Sequence, residues 1–115
     1  LMVSVIIPNY NHCNYLKLRL DSVFNQTYQD FEVIILDDAS NDESIELIEQ
    51  YRTHPKLSHI VYNEINSGTT FIQWKKGIDL ANGEFIWIAE SDDWAESTFL
   101  EELISSSMIY LKKES

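Results

Sequence analysis

The sequence predicts an α/β domain: a parallel sheet with alternating helices, in the order βαβαβαβα, stacked as a three-layer sandwich. Three observations predict it. Short runs rich in Val, Ile and Phe recur along the chain and are too short for helices. Segments with apolar residues at helical spacing separate them. Polar residues gather where the runs end, as they do in open parallel sheets, whose ligands sit beyond the carboxyl ends of the strands. Strands alternating with helices imply right-handed crossovers and helices on both faces.

The first strand is Val3-Ser4-Val5-Ile6-Ile7-Pro8. Pro8 donates no backbone hydrogen bond, so the ladder is expected to stop there. Asn9-Tyr10-Asn11-His12 form a loop. Leu16, Leu20, Val23 and Phe24 then share one helical face. The second strand, Phe31-Glu32-Val33-Ile34-Ile35-Leu36, ends in Asp37-Asp38. Ser40-Asn41-Asp42-Glu43 has capping-box spacing and predicts a helix with Ile45, Ile48 and Tyr51 on its apolar stripe, stopped by His54-Pro55. His59-Ile60-Val61-Tyr62-Asn63 predicts a third strand.

Asn66-Ser67-Gly68 reads as a turn. Phe71, Trp74, Ile78 and Ala81 give a third helix its face, and Asn82-Gly83 predicts a left-handed cap. The fourth strand is the most telling. Phe85-Ile86-Trp87-Ile88-Ala89 is wholly apolar, and Glu90, Asp92 and Asp93 follow at once. Carboxylates in a row are costly to bury. Just past a strand end they stay solvated and can hold a hard divalent cation. Thr98-x-x-Glu101 is a second capping box, with Phe99, Leu100, Leu103, Ile104 and Leu111 packing a last helix.

Composition narrows the partners. The chain has 115 residues, enough for one domain, with 44% apolar and 23% charged residues and a net charge of −11. That charge disfavours nucleic acid and anionic membranes. Cys13 is the single cysteine, which points to a reducing compartment. No apolar run is long enough to span a membrane, and the chain opens on a strand without a signal peptide, so a cytoplasmic location is expected. His12, His54 and His59 are scattered and read as surface residues rather than a zinc site. No glycine-rich dinucleotide turn, P-loop or nucleophile elbow occurs.

If the first strand is central, with the second and fourth beside it, Tyr10, Asp38 and the Glu90–Asp93 group converge. Asp92 and Asp93 suit Mg²⁺ or Mn²⁺. Tyr10 either stacks on a base or packs in the core. Asp38 either accepts hydrogen bonds from a base or ribose, or caps the following helix, and Asp37 serves the fold. Lys75 and Lys76 either reach a diphosphate or form a solvated face. Trp74 and Trp87 read as core, and Trp94 as core or pocket lining.

Val3 to Asn11, Ser22-Val23-Phe24-Asn25-Gln26-Thr27-Tyr28, Phe31 to Ser40, Asn66-Ser67-Gly68, Gly83-Glu84-Phe85-Ile86 and Ser91-Asp92-Asp93 occur in one order. Together they resemble family 2 glycosyltransferases of the GT-A fold, a Rossmann-like architecture, from about Val3 to the last helix. The resemblance implies the nucleotide-sugar-binding half of such an enzyme. It implies a nucleotide-diphospho-sugar donor, foremost a UDP-sugar. Pro8 and Tyr10 would frame the base, Asp38 would bind it, and Asp92 would bind the ribose or donor sugar. Asp93 would hold Mn²⁺ or Mg²⁺. The acceptor would be a saccharide or a lipid-linked one, in bacterial cell-surface polysaccharide synthesis, with an inverting mechanism. A parent protein could sit peripherally at the inner face of the membrane.

Two departures stand out. Glu90 replaces an Asp common in the family. Gln73-Trp74-Lys75-Lys76-Gly77 replaces Ala-Arg-Asn-x-Gly, leaving Lys75 or Lys76 as the diphosphate contact. Members are about twice as long, and their second half supplies the acceptor site and catalytic base. The chain therefore reads as a single donor-binding domain, a fragment or a natural truncation, with no catalytic base assigned within it. The alternative is a binding module for nucleotide sugar or metal without transfer. A phosphoacceptor domain would carry its acids after the first strand, and a sugar nucleotidyltransferase would carry a Gly- and Arg-rich loop there.

Overall fold

A computed structural model of the chain describes residues 1–105 and the backbone of residues 111–112. The element order is β1 (Val3–Asn9), α1 (Cys13–Phe24), β2 (Phe31–Asp37), α2 (Ser44–Glu49), β3 (Leu57–Tyr62), α3 (Thr70–Leu80), β4 (Phe85–Ile88), α4 (Phe99–Ser105) and β5 (Leu111–Lys112). The described strands form one sheet in the order β3-β2-β1-β4-β5. β1 to β4 are mutually parallel, and β5 pairs antiparallel with β4. The expected alternating parallel sheet is therefore present. Leu111, assigned from sequence to the last helix, instead lies in the short edge strand β5.

Alternation along the strands sorts the core into two layers. Val3, Val5, Ile7, Val33 and Ile35 share one cluster with Leu16, Leu20 and Val23 of α1, Ile48 of α2 and Leu100 of α4. Ile6, Ile34, Leu36 and Ile86 face the other way, with Ala81 and Ile78 of the α3 side. Each fully buried Ile or Leu contributes about 1.5–3 kcal/mol of transfer free energy. α3 lies close on its layer because Gly77 has no side chain: a Cβ there would overlap Ile6.

The order of strands creates a crevice. β1 is central, β2 lies on one side and β4 on the other, so the direction of winding reverses between β1 and β4. Pro8 helps to open it. The β1–β2 register runs on through Pro8↔Leu36 to Asn9↔Asp37, so Pro8 does not end that ladder. On the other side pairing ends at Ile6↔Ile88. Backbone groups alternate sides along a strand. Because the Ile6 carbonyl accepts from Ala89 N at 2.8 Å, the Pro8 nitrogen also faces β4, where no hydrogen bond is asked of it.

Several local expectations are corrected. Ser40 and Glu43 do not make a capping box. The Ser40 hydroxyl donates to Asp37 Oδ1 at 2.7 Å, and Asp42 takes the helix start, accepting from Ser44 N at 2.9 Å and Cys13 N at 3.1 Å. Nor do Thr98 and Glu101: Glu101 accepts from Thr27 Oγ1 at 2.7 Å, while Thr98 Oγ1 donates to Glu102 at 3.2 Å. Gly83 does not adopt a left-handed cap. Among the described residues those conformations fall at Asn11, Ala39 and Gly68. Gly83 is required by proximity instead, since a Cβ would lie 2.6 Å from Ser4 Oγ and 2.9 Å from Met2 O. Phe71 points away from the core at 71% exposure; Gln73 and Gly77 are the buried residues of α3. No helix among the described residues is long and apolar enough to cross a membrane.

Candidate active site

The candidate site lies where β1, β2 and β4 end. A cavity of about 230 Å³ there is lined by Pro8, Asn9, Tyr10, His12, Asp38, Thr70, Gln73 and Glu90. A second cavity, of about 380 Å³, is lined by Arg19, Trp87, Ile88, Glu90, Asp93, Trp94, Ala95, Glu96 and Phe99. Glu90 borders both, so the two adjoin at the carboxyl end of β4.

Asp38 is the best-held group of the first cavity. It is only 8% exposed. Its carboxylate accepts from Asn63 Nδ2, Ser67 N and Ser67 Oγ, each at 2.8 Å. Burial pushes the carboxyl up. The hydrogen bonds from Asn63 and Ser67, with the nearby Lys76 charge, outweigh it and hold Asp38 below the ordinary carboxylate range. The Asn66-Ser67-Gly68 turn thus exists to clamp this carboxylate, with Asn66 Nδ2 also donating to the Asp38 carbonyl at 3.2 Å. Ala39 follows at a φ of 63°, a left-handed conformation that is strained for a residue with a Cβ. Asp37 is fully buried and structural: its carboxylate accepts from Asn9 Nδ2, Ser40 N and Ser40 Oγ.

Tyr10 is 45% exposed at the cavity rim, so it does not pack in the core. Pro8 is buried and lines the same cavity. His12, read from sequence as a surface residue, is half-buried in the cavity wall and bonded through Nδ1 to Ser91 Oγ at 2.9 Å. That bond ties the loop after β1 to the loop after β4. Trp74 Nε1 donates to Glu90 Oε1 at 3.2 Å, which fixes the carboxylate between the two cavities.

Asp93 reaches the second cavity and Asp92 lines neither. Both are exposed. Asp93 Oδ1 accepts from Trp94 N at 2.8 Å. The described residues contain no group of three or more side chains able to cage a metal. The donor set does fit Mg²⁺ or Mn²⁺ in the form those ions take beside phosphates, with one or two carboxylates and the remaining ligands from substrate and water.

The lysines do not come to these cavities. Lys75 pairs with Asp79 at 3.0 Å on an exposed face. Lys76 Nζ donates to Asn63 Oδ1 at 2.7 Å, one step behind Asp38. Neither lysine lines the two cavities; Lys75 is held by Asp79 and Lys76 by Asn63.

The structure adds residues that sequence reasoning missed. Arg19 is 4% exposed, lies 5.3 Å over the Trp87 ring, and donates from Nε to the Glu90 carbonyl at 2.8 Å. Burial lowers its pKa; Asp93, Asp92 and Glu90 pull it back, and the guanidinium stays charged. The second cavity thus already holds one resident cation under the acidic loop. Gln26 ties the segment after that loop to the start of α4, donating from Nε2 to Glu96 O at 2.7 Å and accepting from Leu100 N at 2.9 Å. Gln73, 3% exposed, lines the first cavity. The available signal was a polar residue inside an apolar stripe: Arg19 sits between Leu16 and Leu20, and Gln73 sits four residues before Gly77.

Residues 4–107 match the model of glycosyl transferase family 2. The chain is 34% identical over 100 residues to a poly(ribitol-phosphate) beta-glucosyltransferase of Bacillus spizizenii, covering 85% of this chain and 16% of that protein. It superposes on TarS of S. aureus, solved in complex with UDP, with a TM-score of 0.83 and 31% identity, over 91% of this chain and 31% of that one. It also superposes on the mannosyltransferase PcManGT of Pyrobaculum calidifontis, solved with GDP-Man and Mn²⁺ (TM-score 0.73, 26% identity, 88% and 32% covered). The chain spans less than half the length of the curated relatives it matches.

Proposed function

The chain belongs to glycosyl transferase family 2, and from that premise we propose that it is the donor-binding domain of a glycosyltransferase taking a nucleotide-diphospho-sugar, foremost a UDP-sugar. The observation that carries this reading is Asp38: a carboxylate kept ionised by three hydrogen bonds at the wall of a cavity at the topological switch point. Buried anions are costly, and a protein that builds three donors around one and leaves it facing a cavity has prepared an acceptor for a ligand.

In this assignment Tyr10 stacks on the base and Pro8 frames it, with Asp38 accepting from the base. Asp92 is assigned the ribose or donor sugar. Asp93 would hold Mn²⁺ or Mg²⁺, which when bound supplies Lewis-acid stabilisation to the departing diphosphate. Arg19 and His12 shape the surroundings: Arg19 holds the acidic loop by its carbonyl, and His12 holds it through Ser91. We assign neither lysine to the donor; Lys76 acts one residue behind, through Asn63. No residue of the chain is assigned as the base that deprotonates the acceptor hydroxyl. A base contributes about 10²–10⁴-fold only within hydrogen-bond reach of its proton, and the carboxylates of this site have other tasks. The acceptor is proposed to be a saccharide or lipid-linked saccharide of cell-surface polysaccharide synthesis.

Calorimetric titration with UDP-, GDP- and TDP-sugars, with and without Mn²⁺, tests the reading. Binding of at least one donor, strengthened by Mn²⁺, is expected. No binding of any, at millimolar ligand and with the chain folded, would contradict it.

A further inference from the structure

We propose that Gln73 reads the nucleobase, donating from Nε2 to the base carbonyl that neighbours the N–H accepted by Asp38. The inference rests on the nucleotide-sugar reading above and adds a residue and a base chemistry to it.

Three observations carry it. First, Gln73 is buried in the cavity wall, yet its Nε2 has no hydrogen-bond partner among the described residues. Buried donors are almost always paired, so an unpaired one on a residue of the cavity wall marks a place for an acceptor. Second, the amide can face only one way. Lys76 Nζ is a donor and nothing else, so the Asn63 atom 2.7 Å from it is the oxygen. Asn63 Nδ2 then faces Asp38 Oδ1 at 2.8 Å, an acceptor, which fits. The same Nδ2 lies 3.0 Å from Gln73 Oε1. Turning Gln73 over would set donor against donor. Lys76 is thus a positioning residue that fixes Gln73 through Asn63. Third, Asp38 Oδ1 and Gln73 Oε1 both accept from the same Asn63 nitrogen, so the carboxylate and the amide are neighbours in the cavity wall, the carboxylate an acceptor and the amide carrying the unpaired donor Nε2. Asn9, in the same cavity wall, carries a further buried acceptor, Oδ1, with no partner among the described residues.

An acceptor beside a donor is the complement of an N–H beside a C=O. Uracil offers that pair at N3–H and O4, and guanine at N1–H and O6. Cytosine, attached to ribose in the same way as uracil, presents the inverse at those positions: N3 accepts and the N4 amine donates. The pair therefore selects uracil over cytosine.

The test is the UDP-to-CDP affinity ratio, measured calorimetrically on the chain and on Gln73→Glu and Gln73→Met, with circular dichroism to verify folding. The unaltered chain is expected to prefer UDP by about 100-fold, since a buried donor–donor or acceptor–acceptor mismatch is severe. Gln73→Glu keeps the bond from Asn63 but replaces the donor by an acceptor, and the ratio should fall at least tenfold. Gln73→Met should weaken UDP about tenfold and, with the donor–donor mismatch gone, should not weaken CDP. On the unaltered chain, 4-thio-UDP keeps N3–H but weakens the acceptor, and should bind several-fold less tightly than UDP. This last arm needs no variant to fold. Equal affinity for UDP and 4-thio-UDP, or an unchanged ratio in a folded variant, would overturn the role of Gln73 while leaving nucleotide binding intact. Binding of neither nucleotide would overturn the nucleotide reading itself, and this inference with it.

Discussion

Replacing Asp38 by Ala is expected to lower nucleotide affinity by about 10- to 100-fold, and by the same factor with and without metal. A hydrogen bond to a charged group contributes about 1.5–3 kcal/mol, and each 1.4 kcal/mol is tenfold in affinity. The effect is independent of metal because Asp38 lies on the β1–β2 side of the crevice, while Asp93 lines the cavity on the β4 side. Stability should fall as well, since Asn63 Nδ2, Ser67 N and Ser67 Oγ lose a shared acceptor. Asp38→Asn keeps the volume and separates the two effects: it should retain more stability than affinity. Calorimetry and urea denaturation on the same samples read both.

Asp93→Asn should do the opposite. Metal-free affinity is expected to stay within about twofold, while the enhancement by Mn²⁺ falls about 10- to 100-fold, the scale on which metal sites respond to loss of a supporting group. Asp93 is exposed and, among the described residues, its Oδ1 accepts a local backbone bond from Trp94, so the substitution should leave the fold intact. Arg19 sharpens the expectation. Asp93 lines a cavity that already contains a buried guanidinium, and removing one carboxylate leaves the cavity less able to accept a second cation. If both variants lost only the metal-dependent part of binding, the assignment of Asp38 to the base would be wrong.

Much of this architecture was legible in the sequence because two periodicities, of two and of 3.6, report burial directly. Val5, Ile7, Val33 and Ile35 are fully buried where the strand pattern puts them, and Leu16, Leu20 and Val23 where the helix pattern does. A central β1 brings Tyr10, Asp38 and Glu90 to one cavity, while Asp93, expected beside them, lines the adjoining one and Asp92 lines neither. What failed were inferences from short local patterns. The capping boxes at Ser40 and Thr98 were lost to competing partners: the Asp37 carboxylate, three residues back, takes the Ser40 hydroxyl, and Thr27, 74 residues away, takes Glu101. Gly83 looked like a cap and proved to be a contact with β1, a requirement set by residues about 80 positions away. Lys75 and Lys76 could not be placed because charge says nothing of which helix face turns toward a crevice; Asp79 and Asn63 decide that. Arg19 and Gln73 escaped notice because each sits where an apolar residue was expected, and only the packed structure reveals an unpaired Nη1 and Nε2.

The central claim is that a nucleotide sits between the carboxyl ends of β1, β2 and β4. Backbone amide NMR of the labelled chain, titrated with UDP, tests it most directly. The account predicts that shift changes concentrate at residues 9–12, 38–39, 66–73 and 90–91, and extend to 92–94 when Mn²⁺ or a diamagnetic Mg²⁺ control is present. Changes centred on α2 and the outer face of β3, with the amides around Tyr10 and Asp38 unmoved, would contradict it.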